Sequence, residues 1–153
     1  MVDNLVGKWK CISNENMNEF LEKMNVGFMV RKVITKKEYY FLYYNNFNFK
    51  IAANMKPTLT ITFNNGVWTI KSEATVKTTV HTFEVDKEFE EETPDGKKVK
   101  SSATISGQKM IHTQLDKNGN IYCIISREVD KSGQQIVIFH KDGVEGKRVF
   151  ERV

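Results

Sequence analysis

Residues 120–153, NIYCIISREVDKSGQQIVIFHKDGVEGKRVFERV, decide the fold. Three segments rich in Ile, Val, Tyr and Phe are separated by Ser132-Gly133 and Asp142-Gly143. Gly-containing dipeptides between β-branched runs are hairpin signals, because a two-residue turn needs backbone angles that Gly, Asn and Asp tolerate. The stretch therefore reads as three successive antiparallel strands. The same punctuation recurs upstream at Asn65-Gly66, Asp95-Gly96, Ser106-Gly107 and Asn118-Gly119, with further turns near Lys71–Lys77 and at Val85-Asp86-Lys87. About nine strands follow Pro57, and GKWKCIS, residues 7–13, supplies a tenth. The expected class is mainly β, a closed or nearly closed ten-stranded antiparallel barrel.

Alternation within the stretch places two charges where apolar residues belong. One face of the first strand carries Ile121, Cys123, Ile125 and Arg127; one face of the third carries Val144, Gly146, Arg148 and Phe150. A buried guanidinium without a partner is costly, and neither strand places a carboxylate on the arginine's own face. A single case favours a rim position that snorkels to solvent, or a carboxylate from another strand. Two cases together tip the reading toward a supplied anion, whose carboxylate fits the planar fork of donors.

Composition narrows the function classes. With 153 residues, 40% apolar, 27% charged and a net charge of +4, the chain reads as one domain, able to bury a core or enclose a cavity. Its lysines are dispersed, so no nucleic-acid partner is expected. The start has no apolar run behind a basic segment and no stretch approaches a membrane span, so a cytosolic protein is expected. Cys11 and Cys123 lack metal-type spacing and read as small buried residues, and the three His show none either, so no metal or other cofactor is expected. Gly-x-Ser-x-Gly, a Gly-rich phosphate loop and His-Glu-x-x-His are all missing, which argues against an enzyme. His112 and Gln114 share a strand face suited to internal water.

Between the first strand and Pro57 the period changes. Met17, Phe20, Leu21 and Met24 recur at helical spacing after a Ser/Asn cluster, the pattern breaks at Asn25–Gly27, and Phe28, Val30, Val33 and Ile34 resume it. Two short helices are expected. Residues 36–54, KKEYYFLYYNNFNFKIAAN, hold seven of the seventeen aromatic residues, with poor periodicity.

LVGKWKCISNENMNEFLEKMNVGF at the start, TIKSEATVKTTVHTFEVDKEFEEETPDGKKVKSSATI in the middle, and SREVD with GKRVFERV at the end resemble the cytosolic fatty-acid-binding proteins. These belong to the intracellular lipid-binding family, within the calycin superfamily, which also includes retinoid carriers. The resemblance implies a ten-stranded flattened barrel under a helix-turn-helix lid, and reversible carriage of a long-chain fatty acid by a monomer. It also implies transient contact with a membrane surface. Arg127 and Arg148 match the arginines that hold the carboxylate; a retinoid acid would fit the same pair. Phe150 stands where the family has a tyrosine, which removes a hydroxyl donor. Met17, Val76, Val137, Phe139 and Phe150 match cavity or portal positions, which plain core packing would also suit. Against the family pattern, about eighteen residues, 34–51, form an insertion at the portal, where the lid meets the barrel. The block extends the second helix through about Tyr44, folds over the opening, or offers aromatic rings to a membrane; translated non-coding sequence tolerated by the scaffold is the plainer origin.

Overall fold

The structure, a computed structural model, describes residues 2–24, 55–74, 78–93 and 97–153. A 3-10 turn (Asp3–Leu5) precedes β1 (Gly7–Glu15) and helix α1 (Met17–Lys23). Then come β2 (Thr58–Asn64), β3 (Val67–Glu73), β4 (Thr78–Glu84), β5 (Glu88–Glu92) and β6 (Lys98–Ser106). The chain ends with β7 (Lys109–Leu115), β8 (Ile121–Val129), β9 (Gln135–Lys141) and β10 (Val144–Arg152). Among the described residues nine strands therefore follow Pro57, as the turn punctuation predicts. The expected second helix, its extension through Tyr44, the 34–51 block, Val76 and the Asp95-Gly96 turn lie outside the described residues.

All ten strands form one antiparallel sheet in the order β4-β3-β2-β1-β10-β9-β8-β7-β6-β5. The β1–β10 ladder, from Trp9↔Arg152 to Glu15↔Lys147, joins the two ends of the chain and curls the sheet into a barrel. Local chemistry sets the hairpins. Asn65-Gly66 takes φ 50° and 83°, and Asp142-Gly143 takes φ 48° and 80°, the paired left-handed residues that a tight hairpin with the strands' own twist requires.

One sequential pair does not zip together. β4 and β5 are the two edges of the sheet, so the barrel is nearly closed. At the turn between them Asp86 adopts φ 61°, and its N–H donates to the Ala103 carbonyl of β6 at 2.8 Å, drawing the chain away from β4. Side chains bridge the resulting seam. The Phe83 and Phe89 rings stack at 5.2 Å, and His81 Nδ1 lies 3.2 Å from Glu91 Oε2. A pocket of about 330 Å³ opens there, lined by residues that include Val80, His81, Phe89 and Glu91.

The two barrel ends are closed differently. At one, Trp9 is fully buried and its Nε1 donates to the Leu5 carbonyl at 2.8 Å, while Arg152 covers the indole at 4.1 Å and donates to the Val6 and Asn4 carbonyls. At the other sits α1. Asn16, at φ 53°, starts the helix and donates through Nδ2 to the Glu145 carbonyl at 2.7 Å. Met17, Phe20 and Met24 then fall on one buried face, as their spacing predicts. The helix rests on Gly146 of β10, where an added Cβ would come 2.7 Å from Met17 Sδ and 3.0 Å from Phe20 Cβ. Glycine is needed here for close approach.

Candidate functional site

Arg127 of β8 pairs with Val137 of β9, and Val137 pairs with Arg148 of β10. The two arginines thus flank one buried valine on the inward face, two strand spacings or about 10 Å apart at the backbone. Continuing the row, Arg127 pairs with the fully buried Met110 of β7, and Arg148 with Asn14 of β1. Asn14 reaches this face because of a bulge. β1 shifts register between Cys11, opposite Phe150, and Ser13, opposite Val149, so the side chains after it exchange faces.

The arginines sit in different surroundings. Arg148 donates from Nε to Asn14 Oδ1 at 2.8 Å, and its guanidinium lies 5.7 Å from the Phe139 ring centre. Burial lowers its pKa, opposed by the nearby Cys11 thiol. The Arg127 Nε and Nη1 atoms are buried and have no hydrogen-bond partner among the described residues. Burial pushes this guanidinium down to about 10, against the opposing influence of Glu91 and Cys123, so it remains charged at neutral pH.

Glu91 is the residue that the sequence reading missed. From β5 it points inward, where Ser101 Oγ donates to it at 2.9 Å, Gln114 Nε2 donates to the same oxygen, and His112 Nε2 lies 3.0 Å away. Burial opposes its ionisation, but His112, Gln114 and His81 outweigh that and hold the carboxyl at about 2. His112 and Gln114, expected to serve water, serve this carboxylate. The signal was present: in EFEEE, residues 88–92, alternation sets Glu91 on the face of Phe89 and opposite to Glu88, Glu90 and Glu92. Arg127 and Arg148 carry two positive charges and Glu91 one negative. Within this group the formal charges sum to +1.

The other expected positions surround this row. Val137 and Phe150 are each 2% exposed; Val137 lies between the arginines, and Phe150 lies one residue pair toward Trp9, opposite Cys11 and Gln135. Phe139 is partly buried, faces Gly146 and meets Phe20 of the helix at 5.5 Å. Met17 is buried beneath the helix against Gly146. A chain of contacts therefore runs from α1 through Phe139 to Arg148. Cys11 and Cys123 are both buried and free, with their thiols pushed up by burial, Cys123 to about 11. Among the described residues no group of three or more His, Cys, Asp or Glu is arranged to hold a metal, and no helix is long and apolar enough to cross a membrane.

The model of the lipocalin / cytosolic fatty-acid binding protein family matches residues 41–142. The chain is 33% identical to the sodium/calcium exchanger regulatory protein 1 of Doryteuthis pealeii, over 100% of this chain and 99% of that one. It is 34% identical to the adipocyte fatty acid-binding protein of Pygoscelis papua, over 99% of each chain. It is also 34% identical to the cellular retinoic acid-binding protein 2 of Mus musculus, over 97% of this chain and 98% of that one. Among solved structures, the Schistosoma mansoni fatty acid binding protein in complex with arachidonic acid superposes with a TM-score of 0.79 at 27% identity, covering 99% of this chain and 98% of that one.

Proposed function

The chain belongs to the lipocalin and cytosolic fatty-acid-binding protein family, lipid-binding carriers and not enzymes, and on that premise we propose that it reversibly carries a long-chain fatty acid inside its barrel. Arg127 and Arg148 hold the carboxylate, and Met17, Val76, Val137, Phe139 and Phe150 line the apolar space or its entrance. The observation that carries this reading is the pair of buried Arg127 donors with no partner among the described residues, one valine away from Arg148. Polar atoms so deeply buried are normally hydrogen-bonded, and an ionised carboxylate supplies both lone pairs and the missing negative charge. With Phe150 in place of a hydroxyl-bearing residue, the anion depends on guanidinium donors.

On this reading the chain is a single lipid-binding domain, monomeric and cytoplasmic, which delivers its cargo by transient contact with membrane surfaces. On the same reading the 34–51 block, whose sequence sets Lys36 and Lys37 next to Tyr39, Tyr40 and Phe41, serves that contact. Retinoic acid is the second candidate cargo, favoured by the similarity to a retinoic acid-binding protein and by the same arginine pair. Mass spectrometry of lipid extracted from the purified protein tests the reading. A co-purified fatty acid supports it, a retinoid acid redirects it, and an empty barrel that binds neither when supplied refutes it.

A further inference from the structure

Gln135 occupies an unusual position. It is fully buried on the inward face of β9, and neither its Nε2 nor its Oε1 has a hydrogen-bond partner among the described residues. Register places it one inward row from the arginine pair, toward Trp9. Its direct partners are Val129 of β8 and Phe150 of β10, so Arg127 and Arg148, each paired with Val137, are its two diagonal neighbours. Diagonal neighbours on a sheet face are about 7–8 Å apart at the backbone, within reach of long side chains. An amide with an unmatched donor and acceptor thus lies between two guanidinium-bearing residues, next to the ring that lacks a hydroxyl.

An unpaired buried amide is costly, and a leucine would fill nearly the same volume without that cost. Retaining an amide here makes physical sense if its partner comes from outside the polypeptide. The charge balance already calls for a carboxylate within this row, and an N–H from Gln135 would meet it from the Trp9 end of the barrel. We infer that Gln135 is the third polar group of the anion site, donating through Nε2 to the bound carboxylate, directly or through one ordered water, in place of a hydroxyl at position 150. The inference deepens the fatty-acid reading and rests on it. It makes Gln135 a residue that discriminates between lipid acids and neutral lipids of the same chain.

The test compares oleate with oleyl alcohol on the full chain, using wild type, Gln135→Leu, Phe150→Tyr and the double variant. Loss of one hydrogen bond to an ionised acceptor should weaken oleate about ten- to hundredfold in Gln135→Leu while leaving oleyl alcohol within about twofold. The Phe150→Tyr change should improve oleate binding more when combined with Gln135→Leu than it does alone, so the two changes are non-additive. Independently of affinity, the Gln135 side-chain amide resonances in a ¹⁵N-labelled sample should shift downfield with oleate and stay in place with oleyl alcohol. Unchanged oleate affinity in Gln135→Leu, or equal loss for both lipids, overturns the inference while Arg148-dependent oleate binding leaves the carrier reading standing. If wild type binds no oleate, both fall.

Discussion

Replacing Arg127 by leucine should move affinity and stability in opposite directions. Two of its donors, Nε and Nη1, are buried and unpartnered among the described residues, so the ligand-free protein gains no hydrogen bond from them while bearing the desolvation that lowers the guanidinium to about 10. Removing that charge relieves the cost. Glu91 loses a favourable neighbour in the exchange, but keeps Ser101, Gln114 and His112. The ligand-free melting temperature should therefore stay within a few degrees of wild type, or rise. Binding behaves differently, because each charge-assisted hydrogen bond to a carboxylate contributes roughly 1.5–3 kcal/mol. Desolvation of the ligand and the pull of Glu91 offset part of a two-bond total, which makes the worth of one bond the conservative expectation. That corresponds to about a ten- to hundredfold weaker Kd for oleate. Titration calorimetry on oleate and oleyl alcohol reads the difference, with the alcohol close to wild type. Equal losses for both lipids would show that Arg127 shapes the cavity and does not bind the carboxylate. A large fall in ligand-free stability would refute the premise that the cost of burying Arg127 exceeds what Glu91 returns.

Gly146→Val should push α1 off β10, because even a Cβ would come 2.7 Å from Met17 Sδ; a loss of about 1–3 kcal/mol in stability, measured by denaturant unfolding, should accompany faster release of bound lipid in stopped-flow displacement. Glu91 has a folded pKa of about 2 against an ordinary 4.5, so its contribution is present above about pH 4.5 and is lost as pH falls toward 2. The acid limb of a plot of melting temperature against pH should be shallower in Glu91→Gln, and identical limbs would contradict the assignment. Deleting residues 34–51 should leave equilibrium fatty-acid affinity near wild type but slow transfer to anionic vesicles, and added salt should shrink the difference; loss of folding would place the block in the core.

How much was legible in advance depends on how local the cause was. Asn65-Gly66 and Asp142-Gly143 dictate their own φ angles, so the strands on either side could be placed from four residues at a time. Helix α1 was visible in the spacing of Met17, Phe20 and Met24 because one continuous face is buried. Period-two alternation likewise assigned Arg127 and Arg148 to the inward face. The parting of β4 and β5 was not legible, since it turns on a hydrogen bond from Asp86 to Ala103, a residue two strands later. Nor was the bulge in β1, which decides that Asn14 meets Arg148. Glu91 was hidden for another reason. Its run of acidic neighbours suggests a solvated surface, and alternation outweighs composition only once β5 is known to be a strand.

β4 and β5, the two edges of the sheet, each lack a second neighbour among the described strands, and an uncovered strand edge is a template for pairing with another molecule. β5 is short, and its outward side chains Glu88, Glu90 and Glu92 are all exposed and acidic. A second copy laying its own β5 alongside would set glutamates against glutamates, and like charges directly opposite are unfavourable. Acidic charge on this five-residue strand therefore disfavours the pairing of one β5 edge with another.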